Sequence, residues 1–128
     1  MMIHIAVGGV LGTLARYGLQ GWVQGRLGGT TFPAGTLLVN VLGSLLLGLL
    51  LRFATGTMVL TPEVRGGLTV GFCGAFTTMS TFGYETTTLL ADGQYGRAGV
   101  YLAATLVGCI GAVATGSSLA GRILQGGG

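Results

Sequence analysis

The chain alternates between long apolar stretches and short polar connections. A helix needs about 20 apolar residues to cross the roughly 30 Å hydrocarbon core of a bilayer. Windows of that kind cover residues 3–22, 33–53, 66–90 and 99–120. We therefore predict an all-α membrane protein in which residues 1–128 form a single domain of four transmembrane helices.

The third window contains a segment that the other three lack. From Gly71 to Phe82 it combines glycines, hydroxyl side chains and aromatic rings within apolar surroundings. Polar or irregular backbone is tolerated at bilayer depth only where it is buried in protein or lines a watery path. The segment predicts a broken third helix, and the break indicates a protein that conducts a solute.

Composition and charge restrict the function further. Half of the residues are hydrophobic and 7% are charged, which excludes an ordinary soluble domain. No catalytic triad, phosphate loop or basic nucleic-acid surface is recognisable, so we predict neither an enzyme nor a nucleic-acid partner. The cysteines Cys73 and Cys109 both lie inside apolar windows and show no disulfide or metal-ligand spacing.

The six arginines leave the orientation in the membrane open. If the N-terminus, the second loop and the C-terminus share one side, the two sides carry similar positive charge. The first side holds Arg52, Arg65 and Arg122; the other holds Arg26 and Arg97, and also Arg16 if its side chain reaches the interface. Since basic flanking residues bias orientation, this balance suits a chain that inserts both ways, or it reflects too few charges to decide.

Glycine occupies 27 of the 128 positions and recurs at helical spacing inside the apolar windows. Helices in lipid associate through close backbone approach at small residues. Gly8 with Gly12, and Gly67 with Gly71, form such pairs. The longest stripe runs along the fourth window through Ala104, Gly108, Ala112, Gly116 and Ala120. These stripes predict contacts within and between subunits.

Asn40, Arg16 and Glu85 are candidates for function, each with a structural alternative. Asn40 could donate its amide to a passing anion or bond a neighbouring helix, and Thr36 one turn earlier would extend the same polar face. Arg16 could attract anions to a pore mouth or extend to the interface. Glu85 could pair with an arginine, accept hydrogen bonds from hydroxyls, or be protonated.

The hydroxyl groups of the third and fourth windows form a second set. A helix interruption among Thr77, Thr78, Ser80 and Thr81 would free backbone carbonyls, which suit an alkali cation. An edge-on ring such as Phe82 could line an anion route, although a buried phenylalanine more often serves packing. Tyr101, Thr105 and Cys109 recur every four residues on one face of the fourth window.

Three motifs in order resemble the Fluc family of fluoride channels, also called the CrcB family. Residues 71–82 resemble the third-helix signature of that family, residues 35–40 its second-helix signature, and residues 12–17 its first-helix pattern. The similarity covers essentially the whole chain.

The resemblance implies a passive fluoride export channel in the inner cell membrane, built as an antiparallel homodimer surrounded by lipid. The backbone carbonyls of Gly74 and Thr77 would hold a central structural Na⁺. Asn40 would donate to fluoride, and Arg16 would lie near the aqueous vestibule. The other pore positions would be Thr36, Met79, Ser80, Thr81, Phe82, Glu85, Tyr101 and Thr105.

Two positions depart from the family pattern. Met79 stands where the family usually has the first of two pore phenylalanines, so a flexible thioether replaces a rigid ring edge. Cys109 stands where a hydroxyl residue is common. The first departure concerns the fluoride site. The second concerns the end of the polar face that Tyr101, Thr105 and Cys109 form in the fourth window.

Two other functions are compatible with a four-helix chain of this size. A proton-coupled exporter of the small multidrug resistance kind needs a carboxylate in its first helix, whereas the first window here offers Arg16 and no acid. A non-conducting assembly subunit would explain the glycine stripes but not the polar break or Asn40.

Overall fold

The chain is all-helical in a computed structural model that describes residues 1–126. The first two helices are α1, Met2–Arg26, and α2, Ala34–Gly56. A short helix α3, Pro62–Gly66, continues into a π-helical segment, Gly67–Cys73, and a single turn α4, Gly74–Phe76. Helix α5, Met79–Ala91, and the long helix α6, Tyr95–Gly126, follow.

The prediction of an all-helical membrane chain is confirmed. Helices α1, α2 and α6 are each long and apolar enough to cross a membrane. The predicted window 66–90 is instead divided between the π-helical segment, α4 and α5, and residues 77 and 78 between α4 and α5 are not helical. That these shorter pieces cross the bilayer together remains a prediction.

The start of α3 follows the capping chemistry of its sequence. Thr61 is the N-cap, and its hydroxyl accepts a hydrogen bond from the Val64 N–H at 3.2 Å. Pro62 stands in the first turn, where its missing N–H is not needed, and Glu63 lies near the positive end of the helix dipole. The local sequence therefore accounts for the residue at which α3 begins.

Small residues set the distances between the helices. Helix α1 packs against the π-helical segment at Gly8 and Gly12, where an added Cβ would overlap the carbonyl oxygens of Gly67 and Phe72. Helix α2 packs against α6 in the same way, because a Cβ at Gly116 would overlap the Leu45 carbonyl oxygen. Close backbone approach is the contact that lipid-embedded helices use in place of a hydrophobic drive.

The helices pack as two pairs, and residues 77 and 78 lie beside both. Helix α1 and the π-helical segment form one closely packed pair, and α2 and α6 form the other. Residues 77 and 78 lie where the first pair meets α2. Many large apolar side chains remain exposed around the bundle, among them Leu14, Val70, Val107 and Ile110. Such an exterior suits lipid or a second subunit.

Replacing Gly116 with Ala should lower the free energy of unfolding by about 1–3 kcal/mol, the usual penalty for overpacking. The new Cβ would meet the backbone of α2, which cannot rotate away as a side chain could. Thermal unfolding of the detergent-purified protein measures the effect. Gly99→Ala in the same helix is the control, because an added Cβ there meets nothing within 4 Å. Equal midpoints for the two variants would contradict the packing account.

Candidate functional site

The helical interruption at residues 77 and 78 is produced by two threonines that act in opposite directions. The Thr77 N–H and hydroxyl both donate to the Cys73 carbonyl oxygen, at 3.1 and 3.0 Å, and the extended backbone of Thr77 ends the preceding helix. Thr78 begins α5, since its hydroxyl accepts from the Thr81 N–H at 3.3 Å. Both residues have extended backbone conformations. The two threonines therefore separate α4 from α5 without a glycine or proline between them.

Asn40 of α2 binds the interruption through both ends of its side-chain amide. Its Oδ1 accepts from the Thr78 N–H at 2.7 Å, and its Nδ2 donates to the Thr78 carbonyl oxygen at 3.2 Å. Gly43, one turn later, allows this approach because a Cβ there would overlap the Thr77 methyl group. The structural alternative for Asn40, a bond to a neighbouring segment, is thus present. One amide hydrogen remains for another acceptor.

The bond to Asn40 releases the Gly74 carbonyl from the helical ladder. Its regular partner would be the Thr78 N–H, four residues later, which donates to Asn40 instead. The Thr77 carbonyl loses its own regular partner because the Thr81 N–H donates to the Thr78 hydroxyl. Two hard oxygen acceptors are therefore freed within four residues of each other.

Arg16 of α1 also binds the interruption. Its Nε donates to the Ala75 carbonyl oxygen at 3.0 Å, in the last turn before the break. The structure thus places Arg16 beside α4, midway along α1, where its positive charge faces the carbonyl end of the preceding helical turn. Its predicted role at a vestibule is untested.

An open cavity of about 320 Å³ lies beside Asn40, between α2, α6 and the interruption. Thr105 lines it from α6, and its buried hydroxyl oxygen has no hydrogen-bond partner among the described residues. Thr77 and Thr78 contribute to the wall, together with Met79. Because a buried polar group without a partner is costly, Thr105 makes this cavity a candidate binding site for a polar species.

A second cluster of predicted residues lies on the far side of Phe82. The Phe82 ring is 5% exposed and its centroid is 5.0 Å from that of Tyr101. The hydroxyl of Tyr101, a fully buried residue, donates to Glu85 Oε1 at 3.3 Å. Thr36 and Glu85 also line one cavity. Of the options for Glu85, the structure therefore shows acceptance of hydrogen bonds from hydroxyls.

The remaining predicted positions are at the start of α5. Met79 is 75% exposed at the edge of the Asn40 cavity, and Ser80 is also exposed. The Ser80 hydroxyl is 3.4 Å from that of Thr78, which donates to Thr81 Oγ1 at 3.0 Å. The predicted site is thus divided in this chain into the Asn40 cavity and the Glu85 cluster, joined by the first turn of α5.

Two glutamines of α1, which no sequence motif indicated, support the Glu85 cluster. Gln20 Nε2 donates to the Thr36 hydroxyl oxygen at 2.6 Å. Gln24 Oε1 accepts from the Gly35 N–H at 3.3 Å, and its Nε2 donates to the Phe32 carbonyl at 3.1 Å. The signal available was their spacing: two amides four residues apart face the same side of a helix.

Comparison with known proteins identifies the family. The family profile described as "CrcB-like protein, Camphor Resistance (CrcB)" matches residues 3–117. The chain belongs to the CrcB family. The stated resemblance is thereby confirmed at the level of the family.

Relatives within the CrcB family are similar over most of their length. The fluoride-specific ion channel FluC of Geobacter metallireducens is 48% identical over 109 residues, which are 85% of this chain and 87% of that protein. The proteins of the same name from Pelobacter propionicus and Sorangium cellulosum are 47% and 44% identical. They cover 91% and 95% of this chain, and 89% and 95% of their own length, respectively.

In this CrcB-family chain, Asn40→Leu should lower the free energy of unfolding by about 2–4 kcal/mol, because both backbone groups of Thr78 would lose their partner in a buried place. Chemical unfolding of the purified protein measures the loss. Ser44→Ala is the control, since the Ser44 hydroxyl bonds only the carbonyl of Asn40 in its own helix. An Asn40→Leu protein as stable as the wild type would show that the two hydrogen bonds do not hold the interruption.

Proposed function

We propose that this chain forms a passive, fluoride-selective channel through which fluoride leaves the cytoplasm down its gradient. The relatives named above are called fluoride-specific ion channels, and they match nearly the whole chain. The observation that carries the proposal in this molecule is Thr105 in the wall of the Asn40 cavity, whose buried hydroxyl has no hydrogen-bond partner among the described residues. Membership of the family and this arrangement of donors favour a channel over an enzyme.

The donors around the cavity suit a small anion. Fluoride is strongly hydrated, so a pore must replace its water with several hydrogen-bond donors held at short range. The cavity offers the Thr105 hydroxyl and the second amide hydrogen of Asn40, and no carboxylate lines it. We propose that this surface continues along the first turn of α5, through Met79, Ser80, Thr81 and Phe82. Beyond Phe82, the proposed pathway reaches Thr36, Glu85 and Tyr101.

A second copy of the chain is proposed to complete the pore. The Asn40 cavity opens to the side of the bundle, next to the exposed apolar side chains of Met79, Leu106 and Ile110. Polar backbone cannot face lipid in the middle of a bilayer, so a partner must cover this side. We propose an antiparallel homodimer in the inner cell membrane. The similar numbers of arginines predicted on the two sides of the membrane support this arrangement.

Residues Gly74 and Thr77 suit the central Na⁺ that the family resemblance implies. Both carbonyl oxygens are released from the helical ladder for reasons visible in this structure, and carbonyl oxygens are the ligands that hard cations prefer. One chain supplies two such oxygens, so two copies would supply four. When bound, the cation would balance the partial negative charge of these carbonyl oxygens and hold the two interruptions together.

Fluoride efflux from liposomes containing the purified protein is the direct test. We expect rapid fluoride release, measured with a fluoride electrode, with no chloride release in a matched assay and no requirement for a proton gradient. No fluoride flux from well-folded protein would exclude the channel. Proton-driven transport of organic cations would favour the multidrug-type exporter, against which the lack of acidic residues in α1 already argues.

Thr105→Val tests the pore more specifically than Asn40→Leu does, because Asn40 also holds the backbone of the interruption. Valine has nearly the shape of threonine and removes only the hydroxyl, which has no partner in the chain. We expect unchanged or higher stability and fluoride efflux at least about tenfold slower, as for the loss of one good hydrogen bond of about 1.4 kcal/mol. Unchanged efflux would remove Thr105 from the pore. Unchanged efflux by a folded Asn40→Leu protein would in turn remove Asn40 from the pore.

Gln20 is expected to act on the pore through Thr36. Since Gln20 donates to the Thr36 oxygen, the single Thr36 hydroxyl hydrogen stays available to Glu85. We expect Gln20→Met and Thr36→Val each to slow fluoride efflux about three- to tenfold, and the double variant to be no slower than Thr36→Val alone. Multiplicative effects in the double variant would show that Gln20 acts independently of Thr36.

A further inference from the structure

A polar cavity of about 370 Å³ lies at the end of the molecule where α2 and α6 finish. Its walls are formed by Arg52 of α2 and by Ser117, Ser118, Gly121, Arg122 and Gln125 of α6. The cavity brings two of the six arginines of the chain to one place. Neither residue was assigned a site by the sequence motifs or by the pore described above.

The Arg52 side chain is held against α6. An added Cβ at Gly121 would stand 3.7 Å from Arg52 Nε and 3.9 Å from its Nη2, so the glycine gives the guanidinium room to lie along the helix. Arg122 is the next residue. Two like charges that share a cavity repel each other unless an anion or solvent separates them.

No acidic residue balances the two arginines. The acids of the chain are Glu63, Glu85 and Asp92, and none of them lines this cavity. Ser117 and Ser118 add two hydroxyl groups that can donate hydrogen bonds. Among residues 1–126, the cavity therefore presents donors and positive charge and no carboxylate lines it, which is the composition of an anion site.

The cavity also leads toward Asn40. Ser117 lines both this cavity and an apolar groove between α2 and α6. The groove in turn shares Ser44, Cys109 and Ile110 with the Asn40 cavity. Neighbouring cavities with shared lining residues thus form a row from the two arginines to Thr105.

We propose that Arg52 and Arg122 form a capture site for small inorganic anions at this end of the fluoride pathway. The proposal rests on the proposed channel function and assigns its entrance. Positive charge in a cleft raises the local concentration of anions and speeds their arrival. A soluble anion is favoured over a lipid phosphate, because the cavity continues into the row that ends at Asn40.

Unitary fluoride currents in planar bilayers of uncharged lipid test the site with the double variant Arg52→Gln/Arg122→Gln. At an ionic strength of about 0.01 M, where charges act over roughly 30 Å, we expect a current at least about threefold smaller than that of the wild type. At about 0.15 M, where the range falls to roughly 8 Å, the two currents should converge. The matching Arg52→Lys/Arg122→Lys variant keeps both charges and should restore most of the current.

Arg65→Gln is the matched control, because it removes one arginine from the same end of the helix bundle and Arg65 does not line the cavity. If this control lost as much fluoride current per removed charge as the double variant, the proposed site would be overturned, because any surface charge would then have the same effect. Equal currents for the wild type and the double variant at low ionic strength would also overturn it. So would a difference that appears only when anionic phospholipid is added, since that would mark a lipid site. Absence of wild-type current would refute the channel itself, whereas the other failures leave the channel intact.

Discussion

The paired hydrogen bonds between Asn40 and the backbone of Thr78 are the interaction on which the rest of the structure depends. A chain that leaves the helical conformation inside a bilayer must satisfy its N–H and C=O groups without water. The Asn40 amide does so for Thr78 by presenting one donor and one acceptor, as a neighbouring peptide group would. Because Thr78 is bound in this way, the Gly74 carbonyl is left free of the helix. A single side chain thus both stabilises the interruption and exposes its oxygens.

Glycine contacts make that bond possible by bringing α2 and α1 close to the interruption. Gly43 leaves room for Thr77 beside Asn40, while Gly8 and Gly12 bring α1 against the π-helical segment that precedes the break. From that position Arg16 reaches the Ala75 carbonyl. The bundle is consequently well packed around the break and open on the side of Thr105, where we place fluoride and the second subunit. One side of the interruption therefore packs against α1, and the opposite side is where we propose that fluoride passes.

Sequence predicted the elements of this fold better than their contacts. Long apolar windows identified α1, α2 and α6, and the polar stretch from Gly71 to Phe82 identified the interruption, because both signals lie in neighbouring residues. The sequence also showed that Asn40 must have a partner, but the partner, Thr78, is 38 residues away and depends on how α2 packs. The π-helical segment has no recognised local signal. Gln20 and Thr36 meet because α1 and α2 cross at Gly35, where a Cβ would stand 2.6 Å from the Gln20 carbonyl oxygen.

The central claim is passive, selective conduction of fluoride, and the reversal potential of the current across a planar bilayer tests it most directly. With a tenfold fluoride gradient, a channel predicts reversal near the fluoride equilibrium potential, about 59 mV for one charge. An opposing proton gradient or an added chloride gradient should leave that value unchanged. A reversal potential that moves with the proton gradient would contradict the account by showing coupled transport, and one that follows chloride would contradict the claim of selectivity.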